Sequence, residues 1–370
     1  MRLATFNVEN MFERPKAMNL KKPSEGKPIL EDFVKLNDLI ERAVYTASVK
    51  SQLLTLMGKH SGLLSQGKSK YVCLREKSQK LVRKPKNKPY EIAVNGRAEW
   101  IGWFELVTDT IDEVALENTA RIIGAVDADV LCVVEADSRP ALVHFNETVM
   151  GKVNAAPYSH VMLVDGNDER GIDVGLLTRS DFAIESIVSH VDDRDPTGVV
   201  FSRDCAEYSV RLPTGESLLV LVNHLKSKGH GTPASSNAKR KRQAERIRQV
   251  YEQRLAAGAR LVAVAGDFND TPASEPLSPL LQNGSNLVDV MAHAAFQGDG
   301  RKGTYLNGSD SQKLDYILLS PALAARVDSG GIERRGVWGG EHGTLFPHLP
   351  EITKEIESAS DHAALFVDFH

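Results

Sequence analysis

Eight short runs of apolar and β-branched residues recur along this chain: LATFNV, ADVLCVVEA, HVMLV, IDVGLLT, SLLVLVNHL, RLVAVAGDFN, KLDYILLS and HAALFVDF. Their length and composition favour strands over helices. Several are apolar throughout, as a sheet covered on both faces requires. Helical stretches separate them. Residues 108–127 carry apolar side chains near helical spacing, with Asp109, Asp112 and Glu113 near the start. Residues 237–257 form a longer basic helix bearing Ile247, Val250 and Leu255. The pattern predicts an α/β fold in which two sheets pack face to face with helices outside. A purely parallel doubly wound sheet is the alternative, and the hairpin-like VGLLTRSDFAIESIV argues against it.

Residues from about 25 to 105 break this rhythm. They contain an amphipathic helix around 32–57, a basic stretch and then WIGWFELV. This reads as an insertion within one domain spanning residues 1–370. Trp100 and Trp103 pack it, although aromatics among cations also stack on bases. The net charge of −4 conceals the asymmetry: residues 58–97 hold eleven Lys and Arg against Glu76 and Glu91. A second cluster runs Lys239-Arg240-Lys241-Arg242. Such runs are either solvated faces or attractors of polyanions. No apolar run is long enough for a membrane span. The opening MRLATFNVENMF lacks a signal peptide's layout. Cys73, Cys132 and Cys205 form no CxxC pair, and Cys132 reads as a core residue. A reducing, cytoplasmic setting is the expectation, with no protein partner indicated.

The informative feature is what stands at the strand ends. Asn7, Glu9 and Asn10 follow LATF; Glu135 follows VLCVV; Asp173 and Arg170 lie in RGIDVGLL. Asn223 and His224 follow LLVLV, Asp267 and Asn269 follow VAVAG, Asp315 opens DYILL, and Asp361-His362 precede AALFVDF. A charged group buried unpaired costs several kcal/mol, so each needs a metal, a partner or water. Oxygen donors without a Cys/His tetrad favour Mg²⁺ or Mn²⁺ over zinc. Glu135 with Asn7 meets the minimum for magnesium. His224 and His362 suit proton transfer and phosphate contact, and Asp315 is a candidate to orient one of them.

Taken in order, TFNVEN, VVEAD, RGIDVGLL, VNHLKSK, GDFND, LDYILLS and SDHAAL resemble the motifs of the endonuclease/exonuclease/phosphatase superfamily, in its DNase I-like nuclease branch. The resemblance spans nearly the whole chain, with the insertion as its main departure. It implies a four-layer DNase I-like fold and metal-dependent phosphodiester hydrolysis by in-line attack of water. It implies that Asn7 and Glu135 hold the metal, with Glu9 or Asn10 beside them. Asp267 and Asn269 would position water and phosphate oxygens. His362, oriented by Asp315, would be general base or phosphate contact, with Asp361 supporting metal or water. His224 would be a candidate general acid with Asp165 as a possible partner. Arg170 and Asn223 would bind the scissile phosphate, and Lys226 would add charge stabilisation. Which histidine is acid and which base stays open.

Some residues carry two readings. Lys228 and His230 fit a flexible loop; His342 and His348 line the site or sit in a surface loop; Asp289 caps or turns. DNA or RNA is the expected substrate. The other two readings are a phosphoesterase of lipid or inositol-phosphate substrates and a catalytically silent nucleic-acid-binding protein.

Overall fold

A computed structural model describes every residue except Asn10, Phe12, Met18, Asn19, Lys21, Lys22, Ile111, Glu169, Gly229, His230, Gly231 and Asn283. Asn10 and His230, two of the residues singled out above, thus lie outside the described residues. The chain divides into two compact units. One comprises Met1–Phe12, Ile111–Lys228 and Thr232–His370; the other contains Glu13–Thr110.

The larger unit is built on two mixed six-stranded sheets. Its strands are β1 (Arg2–Asn7), β2 (Val130–Ala136), β3 (His160–Val164), β4 (Asp173–Thr178), β5 (Ile184–Val188) and β6 (Cys205–Arg211). They continue with β7 (Ser217–His224), β8 (Leu261–Asp267), β9 (Val288–Asp289), β10 (Asp315–Leu319), β11 (Val327–Glu333) and β12 (Ala364–Phe369). The first sheet runs β11-β12-β1-β2-β4-β3 and the second β5-β6-β7-β8-β10-β9. Two helices matter here: α1 (Glu113–Val126) and α2 (Pro233–Ala256).

Alternation along each strand feeds two cores at once. Leu3, Val130, Cys132 and Val134 face Ala206, Tyr208, Val220, Val222, Ala263 and Ile317 in a core between the sheets. Ala4, Phe6, Leu131 and Val133 pack outward against Ile122, Ile123 and Val126 of α1. Leu221, Val262, Val264 and Leu318 do the same against Ile247, Val250 and Tyr251 of α2. The result is a four-layer α/β/β/α stack. It explains why the strands read as continuous apolar runs: both faces are covered.

Several local expectations shift. The helix expected over 108–127 begins at Glu113, because the Asp112 side chain accepts from Val114 N and caps it. Thr108–Thr110 is a short strand instead. The basic helix starts earlier than 237, at Pro233, where Thr232 caps Ser235 N. VGLLTRSDFAIESIV is not a hairpin. Its halves, β4 and β5, belong to different sheets, so this connection carries the chain from one layer to the other. Each sheet has one parallel pair, β1–β2 in the first and β7–β8 in the second, and its other neighbours are antiparallel, which is what makes the sheets mixed.

The smaller unit has a core of its own, with Phe33, Leu36, Leu53, Met57, Trp100 and Phe104 buried together. The single helix expected over 32–57 is two, Pro23–Ile40 and Ala47–Lys59. Thr46 caps the second, and the Tyr45 hydroxyl donates to Ile40 O at 2.6 Å, closing off the first. Trp100 Nε1 donates to that same hydroxyl at 2.8 Å.

Candidate active site

Strand direction gathers the polar strand ends. β1 runs parallel to β2, and β7 parallel to β8. β12, β4, β6 and β10 are antiparallel to their neighbours in these pairs. The C-terminal ends of the parallel strands and the N-terminal ends of the antiparallel ones therefore share one edge. Asn7, Glu135, His224 and Asp267 come from the first group; Asp315 and the residues just before β4, β6 and β12 come from the second.

Side-chain direction then decides which of these residues meet. In β8 and β10, Ala265 and Ile317 face the inter-sheet core, so Asp267 and Asp315, two residues along, face the same way. His224 follows from Val222 by the same rule. Glu135 breaks it. Strict alternation after Val134 would turn Glu135 toward α1. However, the β2–β4 register pairs Val174 with Val134 and Asp173 with Ala136, leaving Glu135 unmatched in a bulge. Its φ is 65°, a left-handed conformation that is strained for a residue bearing a Cβ. The bulge re-aims the carboxylate between the sheets. Across the rim, Gly266 has φ 129°, and a Cβ there would stand 1.9 Å from Asn223 O. Only glycine allows β7 and β8 to meet so closely at the site.

The assembled centre is buried and interlocked. Asp267 Oδ2 accepts from Asn7 Nδ2 at 3.2 Å and from Asn269 Nδ2 at 3.2 Å, while Oδ1 accepts from Asn269 N at 2.8 Å. His224 Nε2 lies 3.6 Å from Glu135 Oε1 and 3.7 Å from Asp267 Oδ2. His362 Nδ1 bonds Asp315 Oδ2 at 2.7 Å, and its Nε2 lies 3.9 Å from Asp267 and 3.8 Å from Asp361. Glu9 Oε2 accepts from Asp361 N at 2.9 Å. Glu135, His224 and Asp267 each offer a ligand atom within 4.8 Å of the others, as do Asp267, Asp315 and His362.

Burial pushes the Asp267 carboxyl up to about 7, with Asp315 and Glu135 adding to the shift against His362. Burial opposes charge on His362 too, but Asp315, Asp361 and Asp267 outweigh it and hold that imidazole well above its ordinary value. His224 goes the other way. Burial, then Arg203 and Arg170, drive it well below. The two histidines are thus split into a cation and a neutral ring. Glu135, Asp267 and Asp315 thus share one desolvated centre with His362, while Arg170 and Arg203 act on it from the side of His224. Glu135 and Asp267, with the Asn7 amide alongside, are oxygen donors of the kind a hard divalent cation takes.

Other expected residues are placed differently. Asn223 alternates to the α2 side of β7, where its Nδ2 donates to Leu221 O at 3.0 Å and its Oδ1 has no hydrogen-bond partner. Asp165 is exposed, and His224 Nδ1 has no hydrogen-bond partner, so the two do not pair. Arg170 holds Asp168 at 2.6 Å. Lys226 is half-buried, and burial, then Arg203 and Arg170, push its ammonium down to about 8. Asp173 Oδ1 accepts from Gly166 N at 2.7 Å and closes its loop. His348 stacks on Trp338 at 5.5 Å, and His342 is exposed. Asp289 caps Met291 N.

Three contributors were not singled out. Thr304 Oγ1 donates to Asp315 Oδ2 at 2.6 Å, fixing the carboxylate that orients His362. Ser360 Oγ donates to Asn7 O at 2.7 Å and accepts from His362 N at 3.0 Å, tying the two chain ends of the site together. Arg203 lies 2.9 Å from Asp168 and is fully buried. FSRDCAEYSV shows the same polar-residue-before-strand signal as the others, so Arg203 was findable; Thr304 and Ser360 carry no such signal.

The endonuclease/exonuclease/phosphatase family model matches residues 111–362. The chain belongs to this family. Members are typically metal-dependent hydrolases, and the chain is a phosphoesterase of this superfamily. An endonuclease/exonuclease/phosphatase family protein of Bacteroides thetaiotaomicron superposes with a TM-score of 0.50 at 17% identity, over 68% of this chain and 85% of that one. A mannosyl-6-phosphatase of the same organism gives 0.50 at 17%, over 69% and 90%. The human Nocturnin catalytic domain with bound sulfate gives 0.49 at 20%, over 71% and 88%. At such identities the likeness is one of fold. No curated protein matches the sequence.

Proposed function

We propose that this phosphoesterase is a Mg²⁺- or Mn²⁺-dependent phosphodiesterase that cleaves the backbone of nucleic acid. The observation that supports it most is the meeting of Glu135, His224, Asp267 and His362 on one rim, with oxygen and nitrogen donors close enough to share one cation. Glu135 and Asn7 would hold the cation, with Asp267 within reach. A cation held there would supply Lewis-acid neutralisation of the phosphoryl oxygens.

The chain's own residues supply the rest. Asp267, its carboxylate fixed by Asn7 and Asn269, orients the attacking water and takes its proton. His362, held cationic by Asp315, donates from Nε2 to a phosphoryl oxygen, where charge grows in the transition state. Arg170, braced by Asp168, would bind the scissile phosphate. As the P–O bond to the leaving oxygen breaks, that oxygen takes up a proton, which neutral His224, between Glu135 and Asp267, would relay from the Asp267 carboxyl. Asp361 sits beside His362 Nε2 and adds to its charge.

The polymer preference rests on cations. Lys68, Lys86 and Lys88 in the smaller unit have no ion-pair partner among the described residues. Among the described residues no helix is long and apolar enough to cross a membrane.

Turnover of plasmid, single-stranded DNA, RNA and bis-p-nitrophenyl phosphate with Mg²⁺ or Mn²⁺ tests this. Glu135→Gln and His362→Ala should each lower kcat on the order of a thousandfold while circular dichroism stays native. Undiminished turnover in both variants, with EDTA controls clean, refutes the assignment.

A further inference from the structure

Of the cations singled out in VNHLKSK and in residues 239–242, most are committed to carboxylates. Lys228 Nζ lies 2.7 Å from Asp270, and Arg240, fully buried, reaches the same carboxylate at 2.8 Å. Arg242 pairs with Asp195 at 2.5 Å, and Lys241 pairs with Glu275. Lys226 and Lys239 are the two exceptions: among the described residues neither has an ion-pair partner. Both are half-buried.

α2 places them side by side. Gln243 Oε1 accepts from Lys226 N at 2.8 Å, and Arg240 Nη1 donates to Lys226 O at 2.5 Å, so both backbone groups of Lys226 are clamped by the helix. The Gln243 amide also donates to Ser202 Oγ at 3.3 Å. Lys239 sits one helical turn before Gln243 on the same face, beside the segment that ends in Arg203. Beneath lies an ion cluster in which one carboxylate serves two guanidiniums: Asp168 is 2.6 Å from Arg170 and 2.9 Å from Arg203. Arg203 Nη1 and Asn269 Nδ2 both donate to Leu225 O, each at 3.2 Å, which joins this cluster to the reaction centre. Burial, then Arg242 and Arg203, disfavour the charged form of Lys239 more than Asp168 and Asp195 favour it.

Among the described residues, Arg170, Arg203, Lys226 and Lys239 crowd around Asp168; the other carboxylates that act on them are engaged elsewhere, Glu135 and Asp267 in the reaction centre and Asp195 by Arg242, so the two lysines carry excess positive charge in a partly desolvated place. Carrying that excess is costly unless something anionic fills it. We propose that Lys226 and Lys239, above the Arg170–Asp168–Arg203 cluster, form a second anion subsite beside the reaction centre, and that the substrate places a phosphomonoester dianion there. A dianion offsets more of the excess than the monoanionic diester of a continuing chain. Lys226 and Lys239 are then specificity-determining, selecting substrates with a terminal phosphate next to the bond that is cut. The substrate part of this rests on the phosphodiesterase reading; the anion subsite itself does not.

Two measurements test it. The first is calorimetric titration of the full chain with inorganic phosphate in EDTA, which needs no turnover. Wild type should bind, and Lys239→Met should bind about tenfold more weakly, the cost of one ionic contact. Equal binding by both, or none by wild type, overturns the subsite. The second compares kcat/KM for a dinucleoside phosphate bearing a terminal monoester, the same compound without it, and one whose terminal phosphate is capped as a methyl ester. Wild type should prefer the free monoester by about tenfold or more, and Lys239→Met should lose that preference. A preference that survives the methyl cap, or that survives Lys239→Met, overturns the dianion assignment. Phosphate binding in EDTA without turnover of any diester would leave the subsite standing and overturn the phosphodiesterase reading instead.

Discussion

Residues 239–242 and residues 58–97 look alike as strings of cations, yet the two regions handle charge in opposite ways. In α2, Arg240 is buried completely and spends its donors on Asp270, Lys226 O and Asn237 Oδ1. In 58–97, the pairs are Lys80–Glu76 and Arg83–Glu91, with the basic partners largely exposed. Carboxylates from outside the stretch, Asp32, Glu41 and Glu105, reach Lys59, Arg97 and Arg75. Lys70, Lys77 and Lys84 lie over the rings of Tyr71, Trp103 and Tyr90. A buried cation must be fully hydrogen-bonded and so organises whatever it touches; an exposed one is screened and organises little. The short run shapes the loop that follows His224, whereas the longer one keeps its cations at the surface, within reach of counterions or a polyanion. Charge density along a sequence does not distinguish the two; burial does.

Three substitutions sharpen or break this contrast. The largest effect belongs to Arg240→Met, which leaves Asp270 and Lys226 O without their buried partner; a loss of about 3–5 kcal/mol in urea unfolding is expected. A loss under about 1 kcal/mol would place Arg240 with the surface pairs and erase the distinction.

His190→Gln comes next. His190 Nδ1 bonds Asp193 at 2.9 Å and Nε2 bonds Glu207 at 2.7 Å, while Arg246 and Arg254 of α2 hold the same carboxylates at 2.6 Å. Burial works against charge on this ring, but Glu207 and Asp193 raise it above its ordinary value. A raised folded value means that the stabilisation is complete below the unfolded value of about 6.5 and fades as pH climbs through the raised one. The stability gap between wild type and His190→Gln should be on the order of 2 kcal/mol at low pH and close in alkaline solution. A gap independent of pH would show that the ring is held by packing alone.

The smallest effect is that of Arg83→Ala, whose pair with Glu91 is exposed; a change within about 1 kcal/mol is expected, shrinking further in high salt. A larger, salt-resistant loss would mean that the basic stretch is structural after all.

What the sequence made legible follows the same division between chemistry and burial. Strand identity, the four layers and the meeting of Asn7, Glu135, His224, Asp267, Asp315 and His362 on one edge were readable, because polar groups ending apolar runs are expensive unless they converge. Facing was harder. Period-2 alternation turns Asn223 away from His224, and the same rule misdirects Glu135, whose position depends on a bulge that no local residue preference announces. Helix limits moved because Asp112, Thr46 and Thr232 act as caps, and capping is decided by backbone geometry as much as by residue type. VGLLTRSDFAIESIV misled because a strand pair joined by a short turn and a strand that crosses between sheets share one local pattern. Thr304 and Ser360 act through hydroxyls, which are too common in sequences to stand out.

Crystals grown with Mn²⁺ and a non-hydrolysable phosphodiester analogue address the metal centre directly through anomalous diffraction. One manganese peak should appear bonded to Glu135, at about 2.0–2.6 Å, with Asp267 and the analogue's phosphoryl oxygen around it. Manganese found elsewhere while Glu135 and Asp267 contact no ion would contradict the metal-dependent chemistry assigned to this rim.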